Sequence, residues 1–551
     1  MNLAERFSRG LVDKSLNSCT RWAEHKVHMP NPFPGLINFD RFPWQREVLD
    51  IDEGSVTVQK AAQMGFSISG LIRSLYCTVE QQRDVLYVLP TQGLAGDFSK
   101  ARFDALIETS PELVDEFKNV NSVGLKVTRK RANLYIRGSV SSRGLVSVPV
   151  SSAVIDEFDR CADNTLDLVM ERLSGQLKKY MFSLSTPTLP EWGISKQYDA
   201  GTKEKFHFKC PSCGKRETLR WPDNAIIAGD FPGDPRCKES AYICSQCKAV
   251  LPHETKMDWM KGAIWVPERP NVQGHRSFHI NQMFSTTVTP GEMASAHHKA
   301  QLSDLSAIEF KNQKLGEPHL AEGSRLTDGL IDKCKTAALI GSDRPQFSGR
   351  KIYMGVDVGS FLDCWIAEYR FIREPGKFPY ENSRAKLLQT ARVPADSWHQ
   401  LENMMREWQV LFAVIDSSPD TVNSRRFCKK FHGFAAMSQY RQGTVSSEIK
   451  EVLDEQLVPT LTVDRTTFLD LSLGRFHHDM IEIPGNTPGV VTEHLKAPAR
   501  TYEFDQLGLP KAVYKSLADD HFAHAGSYCE QAFLRDYSRV SGRTITPGDN
   551  L

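Results

Sequence analysis

The sequence predicts an α/β chain of two open-sheet domains, the first interrupted by a small cysteine-bearing insertion. Three observations carry that prediction. Short apolar runs recur between helical stretches in both halves, as strands buried in parallel sheets do. Several of these runs end in polar or acidic residues, at Lys60, Asp156-Glu157, Ser185-Thr186, Asp357 and Asp416. Strand ends of that kind gather their side chains in one crevice of an open sheet. Two Cys-x-x-Cys pairs, Cys210/Cys213 and Cys244/Cys247, sit where the strand pattern of the first half breaks.

The 551 residues leave room for roughly three or four domains of ordinary size. Net charge is +1, so affinity for nucleic acid has to come from local patches. No segment approaches the roughly 20 apolar residues of a membrane helix, and the charged stretch from Met1 to Lys26 has no apolar signal core. Twelve mostly scattered cysteines suit a reducing cytosol with a metal site, not a disulfide framework.

Residues 1–40 read as an N-terminal segment, a short helical start followed by the prolines Pro30, Pro32 and Pro34. A first core is expected over 41–204. Phe42-Pro43-Trp44-Gln45-Arg46 suits an adenine pocket, with the Trp44 ring stacking and the Gln45 amide reading the base edge; simple helix packing suits it equally. The run from Val56 to Ser67 then has the shape of a phosphate-binding loop: apolar strand, loop, helical run from Gly70 to Glu80. It departs from Gly-x-x-x-x-Gly-Lys-Ser/Thr, because Phe66 stands where the lysine belongs. Backbone N–H groups and a helix N-terminus still cradle phosphate, and Lys60 at the start of the loop supplies the cation. Lys60, Gln63, Gly65, Phe66 and Ser67 are therefore the expected ATP contacts. Taken alone, the loop also fits an ordinary strand–loop–helix in a core.

A further strand runs from Arg83 to Thr91. Lys126, Arg129, Lys130, Arg131 and Arg137 flank Tyr135, either contacting phosphate or lining a solvated hairpin. Arg143, in the loop from Gly138 to Gly144, is placed to stabilise charge. Ser152 to Ile155 is a buried strand whose terminal acids fit Mg²⁺ coordination by Asp156 and water activation by Glu157. Met181 to Thr188 is another, ending in hydroxyls. Three such strands in order point to an ATPase.

Residues 205–252 carry the most specific local signal. Four thiolates, Cys210, Cys213, Cys244 and Cys247, bind Zn²⁺ in tetrahedral array and fold a small ribbon that lacks its own core. Pro222 to Glu239 reads as an inserted loop and Cys237 as a spare. The site is structural, because all four positions are cysteine. Residues 253–330 complete the first domain, including a helix ending at Gly316, and 331–350 read as a linker.

A second domain is expected over 351–540. The strand from Lys351 to Ser360 holds Asp357, a second strand runs from Asp363 to Arg370, and Leu411 to Ser418 carries Asp416. Leu517 to Ala525 opens a helix with Asp519 and Asp520 in its first turn. Acids from a first strand, a middle strand and a late helix are how a ribonuclease-H-like nuclease assembles a Mg²⁺ or Mn²⁺ site. The residues leave open which of Asp519 and Asp520 is the ligand, and whether His524 joins or packs. Arg425, Arg426, Lys429 and Lys430 suit a DNA backbone, His477 and His478 read as surface residues, and 541–551 as a flexible tail.

A P-loop-type ATPase domain with a zinc-ribbon insertion, followed by a ribonuclease-H-like nuclease domain, is a rare combination. The sequence resembles the large terminase subunit of tailed double-stranded DNA bacteriophages, in the lambda-like branch. The matching residues are Lys60 to Ser67, Asp156-Glu157, Ser185-Thr186-Pro187, the two Cys-x-x-Cys pairs, Leu315-Gly316-Glu317-Pro318 and Asp357. The chain departs from the pattern at Gln63, where a cation is often found, at Ile68 and at His524. The resemblance implies ATP-driven translocation of double-stranded DNA into a procapsid and metal-dependent cutting of concatemers. It implies Ser185 and Thr186 as coupling residues. Its implied partners are a small terminase subunit, the portal protein and further copies of this chain, in the host cytoplasm. The alternatives are a helicase–nuclease, which would need a second motor fold where the cysteine pairs stand, and a DNA-binding scaffold with a degenerate ATPase.

Overall fold

The computed structural model describes residues 18–31, 33–117, 120–140, 144–145, 148–321, 323–346, 349–371, 383–441, 449–504 and 510–541. Arg143 and the tail from residue 542 lie outside the described residues. The chain divides into two compact units at Ala321/Glu322.

The first unit is built on a sheet of parallel strands: β1 (Gly54–Lys60), β2 (Val85–Leu89), β3 (Asn133–Gly138), β4 (Ser152–Asp156), β5 (Tyr180–Ser185), β6 (Glu204–Lys209) and β7 (His275–Ile280). Their spatial order is β6-β7-β1-β5-β4-β2-β3, with short antiparallel strands added at both edges. Every residue of β2, β4 and β5 is buried, as expected of strands covered on both faces. Helix α1 (Phe66–Val79) follows β1, and α2 (Gly193–Ala200) follows β5. Because β5 lies between β1 and β4, Gln59 pairs with Ser185 and Leu184 with Asp156. The C-terminal ends of three adjacent strands therefore meet in one crevice.

The basic run resolves into two kinds of residue. Lys126 is buried, its ammonium 2.5 Å from Asp104, and the Arg137 guanidinium donates to the Gly124 carbonyl. Arg129, Lys130 and Arg131 are exposed.

Cys210 directly follows β6. The insert then forms a three-stranded antiparallel sheet from Ala225–Ile226, Ala241–Ile243 and Val250–Leu251. Part of the stretch read as an inserted loop is thus ordered as one of these strands and a 3₁₀ turn, Pro235–Glu239.

The second unit has strands β8 (Ile352–Val358), β9 (Phe361–Phe371), β10 (Ser383–Pro394), β11 (Phe412–Asp416), β12 (Ala435–Arg441), β13 (Pro459–Asp464) and β14 (Ile481–Pro484), with helices α3 (Arg465–His477) and α4 (His521–Ser541). Their order is β14-β10-β9-β8-β11-β12-β13. An antiparallel β8-β9-β10 meander joined by parallel β11 and β12 is the ribonuclease-H-like arrangement. Residues 331–350 do not form the expected linker. Ile331 and Cys334 pack into this unit's core, and Lys335–Thr336 pairs with β14. His477 and His478 are exposed.

Helix α4 lies directly on β8 at Gly355. A Cβ there would stand 2.0 Å from the Ala525 carbonyl oxygen and 2.3 Å from the Cys529 nitrogen. Only glycine lets the helix approach this closely, and the approach brings the start of α4 to the end of β8.

Candidate functional site

In the first unit the loop after β1 turns left-handed twice, at Gln63 (φ 59°) and Gly65 (φ 82°), before α1 begins. Its backbone is held from behind: Ala61 N donates to Ile280 O at 2.9 Å and Ala62 N to Gln313 O at 2.8 Å. Gln59 Nε2 donates to Gly316 O at 2.9 Å. Gly316 (φ 63°) is required by that contact, since a Cβ would stand 2.5 Å from Ala61 N. Two loop amides are thus occupied, and the first turn of α1 presents the remaining donors for phosphate.

Trp44 does not line an open base pocket, contrary to the sequence expectation. Its ring is fully buried, edge-on to Phe42 and Phe206. Trp44 Nε1 and Gln45 Nε2 both donate to Met64 O, at 3.1 and 3.2 Å, and Trp265 Nε1 donates to Trp44 O at 3.0 Å. The pair braces the loop, because the apolar core encloses the ring. The Phe66 ring is likewise buried, while Gln63 is exposed.

Opposite the loop stands Asp156. It accepts from Tyr87 OH at 2.8 Å and, at Oδ1, from Ser67 Oγ at 3.3 Å and Glu157 N at 2.9 Å. Burial pushes its carboxyl up, and the Lys60 ammonium is the largest opposing influence. Burial likewise pulls Lys60 down, offset by Asp156 and Glu157. The early lysine is therefore near enough to both acids for their charges to act on it. Glu157 has left-handed backbone (φ 54°, ψ 46°), which turns its side chain off the strand axis, within 3.3 Å of Arg160. A non-glycine residue in that region is uncommon and persists where the surrounding structure holds it. Ser185 is buried and its hydroxyl faces Asp159 N and Thr186 O, so it does not project outward as a phosphate sensor; Thr186 is half-buried.

The cysteines meet as expected. Cys210 and Cys247 Sγ are 3.8 Å apart, as are Cys213 and Cys244, and all four lie within 4.8 Å of one another. A tetrahedral site with Zn–S bonds of about 2.3 Å has S···S edges of about 3.8 Å, so the four thiolates fit zinc.

In the second unit Asp357 is the penultimate residue of β8 and Asp416 the last of the neighbouring β11, each one step beyond the pair Val356/Ile415. Burial, with the Asp357 charge adding, pushes Asp416 up to about 6. The sequence reading missed two members of the group. Asp363 pairs directly with Asp357 across the β8-β9 turn and is also pushed up to about 6, chiefly by burial; its neighbour Arg392 lies 3.2 Å away. His521 Nδ1 is 2.8 Å from Asp357 Oδ2. The symmetric spacing of Asp357 and Asp363 about Ser360 was the available signal. Asp519 is exposed, whereas Asp520 is half-buried between Ser516, His524 (3.3 Å) and Arg465 (3.7 Å), which hold it down to about 2. Asp520 is thus engaged by the Arg465 guanidinium, and His524 packs on it and on Tyr440. Among the described residues only the four cysteines form a group with metal-ligand spacing; Asp357, Asp416 and Asp520 do not close to it. Arg425 pairs with Asp454 and Lys430 with Glu402.

Residues 31–265 match the family of the phage terminase large subunit gpA, ATPase domain. The terminase large subunit of Escherichia phage lambda is 22% identical over 349 residues, covering 56% of this chain and 54% of that protein. That of Enterobacteria phage P21 is 22% identical over 273 residues, covering 45% and 41%. The chain thus spans about half the length of these terminase relatives or less. The crystal structure of the HK97 bacteriophage large terminase has 12% identity and a TM-score of 0.49, over 93% of this chain and 98% of that one. No helix among the described residues is long and apolar enough to cross a membrane.

Proposed function

We propose that this chain is a viral DNA-packaging motor subunit that hydrolyses ATP to move double-stranded DNA into a procapsid and cuts concatemeric DNA with a metal-dependent nuclease. The carrying observation is the meeting of Lys60, Ser67 and Asp156 at the ends of β1 and β4, with Glu157 turned off the strand beside them. Lys60 and the first amides of α1 hold the β- and γ-phosphates. Ser67 and Asp156 would hold Mg²⁺, which when bound neutralises charge on the transferring phosphoryl group. Glu157 orients the attacking water. Thr186, backed by Ser185, reports loss of the γ-phosphate to the DNA-gripping surface.

In the second unit Asp357 and Asp416 would hold divalent metal, which when bound activates water against the scissile phosphate. Asp520 is the late-helix candidate, with Asp363 beside the pair. Partners would be double-stranded DNA, the portal protein, a small terminase subunit and further copies of the chain.

The test is ATP turnover with and without double-stranded DNA, in wild type and Glu157→Gln. DNA-stimulated turnover in wild type that is lost in the variant supports the motor. Equal, negligible turnover in both favours a scaffold.

A further inference from the structure

We propose that Asp159 is a positioning residue that ties the hydrolytic turn to the strand end after β5 and to helix α2. The proposal rests on the ATPase reading above and adds to it a residue through which the site would transmit movement.

Asp159 follows Glu157 by two residues, in the 3₁₀ turn Phe158–Arg160, and is 1% exposed. Oδ2 accepts from Thr188 N and from Thr188 Oγ1, both at 2.8 Å. Oδ1 accepts from Ile194 N at 2.6 Å, in the first turn of α2, where the helix dipole favours an anion. Its own N–H donates to Ser185 Oγ at 3.2 Å. The buried carboxylate thus ties its own turn to Thr188 and to the start of α2, and the backbone N–H ties it to the end of β5. Gly193 is shaped for it: φ is +52°, and a Cβ there would stand 2.3 Å from Asp159 Oδ1.

The tie closes a circuit around the crevice. Thr188 O accepts from His319 N at 3.1 Å, and in the same segment Gln313 O accepts from Ala62 N of the phosphate loop and Gly316 O from the Gln59 side chain before it. A shift of the Asp156-Glu157 turn therefore displaces Thr188 and the start of α2 together. Helix α2 leads into β6, and Cys210 directly follows β6, so the movement has a path to the zinc-binding insert. An acid chosen only to cap a helix would not need the Thr188 hydroxyl as well.

The test uses the full chain with double-stranded DNA as activator and a non-hydrolysable ATP analogue as binding probe. In Asp159→Asn one of the two acceptor oxygens becomes an NH₂ facing an N–H donor. Thr188→Val removes only the hydroxyl, and Thr188→Ser keeps it. DNA-stimulated kcat should fall about tenfold or more in Asp159→Asn and about threefold in Thr188→Val, with Thr188→Ser near wild type and KM and analogue affinity within about twofold throughout. Should Asp159→Asn fail to fold, the Thr188 pair decides alone. Analogue affinity falling in step with kcat would overturn the proposal, because a merely structural role predicts it. Unimpaired turnover in the variants beside an active wild type removes the tie alone. A wild type without DNA-stimulated turnover removes the ATPase reading itself, and the tie with it.

Discussion

Asp357 Oδ2 lies 2.8 Å from His521 Nδ1, joining the end of β8 to the first residue of α4. The Asp357 carboxylate is the main cause of a raised imidazole pKa at His521. Asp357→Ala should abolish Mn²⁺-dependent plasmid cutting. His521→Gln should reduce it by about tenfold to a hundredfold, the usual cost of removing a group that orients a ligand. ATP turnover should be unchanged in both, and full cutting by Asp357→Ala would remove that residue from the site.

The neighbouring acids set a pH dependence. Asp416 and Asp363 each sit near pKa 6, raised by burial and by one another's neighbour Asp357. Each therefore holds a proton below about pH 6 that metal must displace, so Mn²⁺ affinity should fall up to about tenfold per pH unit for each acid, about a hundredfold for the two together, below 6 and level off above about 7. A carboxyl raised on folding contributes stability that is present below its unfolded value near 4 and lost as pH rises through about 6. Mn²⁺ should accordingly raise Tm more at about pH 7.5 than at about pH 5. Calorimetric titration and thermal melts across that range check both signs.

Gly355→Ala should destabilise the second unit by about 3 kcal/mol or more, because backbone atoms of α4, not a flexible side chain, meet the new methyl. Denaturant unfolding measures this. A cost near that of an ordinary surface change would show that α4 stands off β8.

Elemental analysis should find one zinc per chain. Chelation or Cys213→Ser should expose the segment from Cys210 to Leu251 to protease and lower Tm, since its small sheet leans on the metal for order. Unchanged proteolysis after complete zinc loss would contradict a structural role.

Much of this was legible because an apolar run ending in an acid has few other readings. Asp156, Asp357 and Asp416 all fall at strand ends that share a crevice with their neighbours. Trp44 stayed open between pocket and packing because a tryptophan beside a glutamine looks the same whether its ring faces nucleotide or core. Phe206 and Trp265, far along the chain, decide that it faces core. Asp159 escaped notice because its partners Thr188 and Ile194 come 29 and 35 residues later. The polar stretch 331–350 resembles a linker until Thr336 meets Ile483, 147 residues on. Pairings of that range leave no local trace.

The most direct measurement of the central claim is a crossed assay: wild type, Glu157→Gln and Asp357→Ala, each tested for DNA-stimulated ATP turnover and for Mn²⁺-dependent plasmid cutting. Two independent acid sites in one polypeptide predict that Glu157→Gln loses turnover and keeps cutting, while Asp357→Ala does the reverse. Loss of both activities in either variant, or of neither in both, would contradict it.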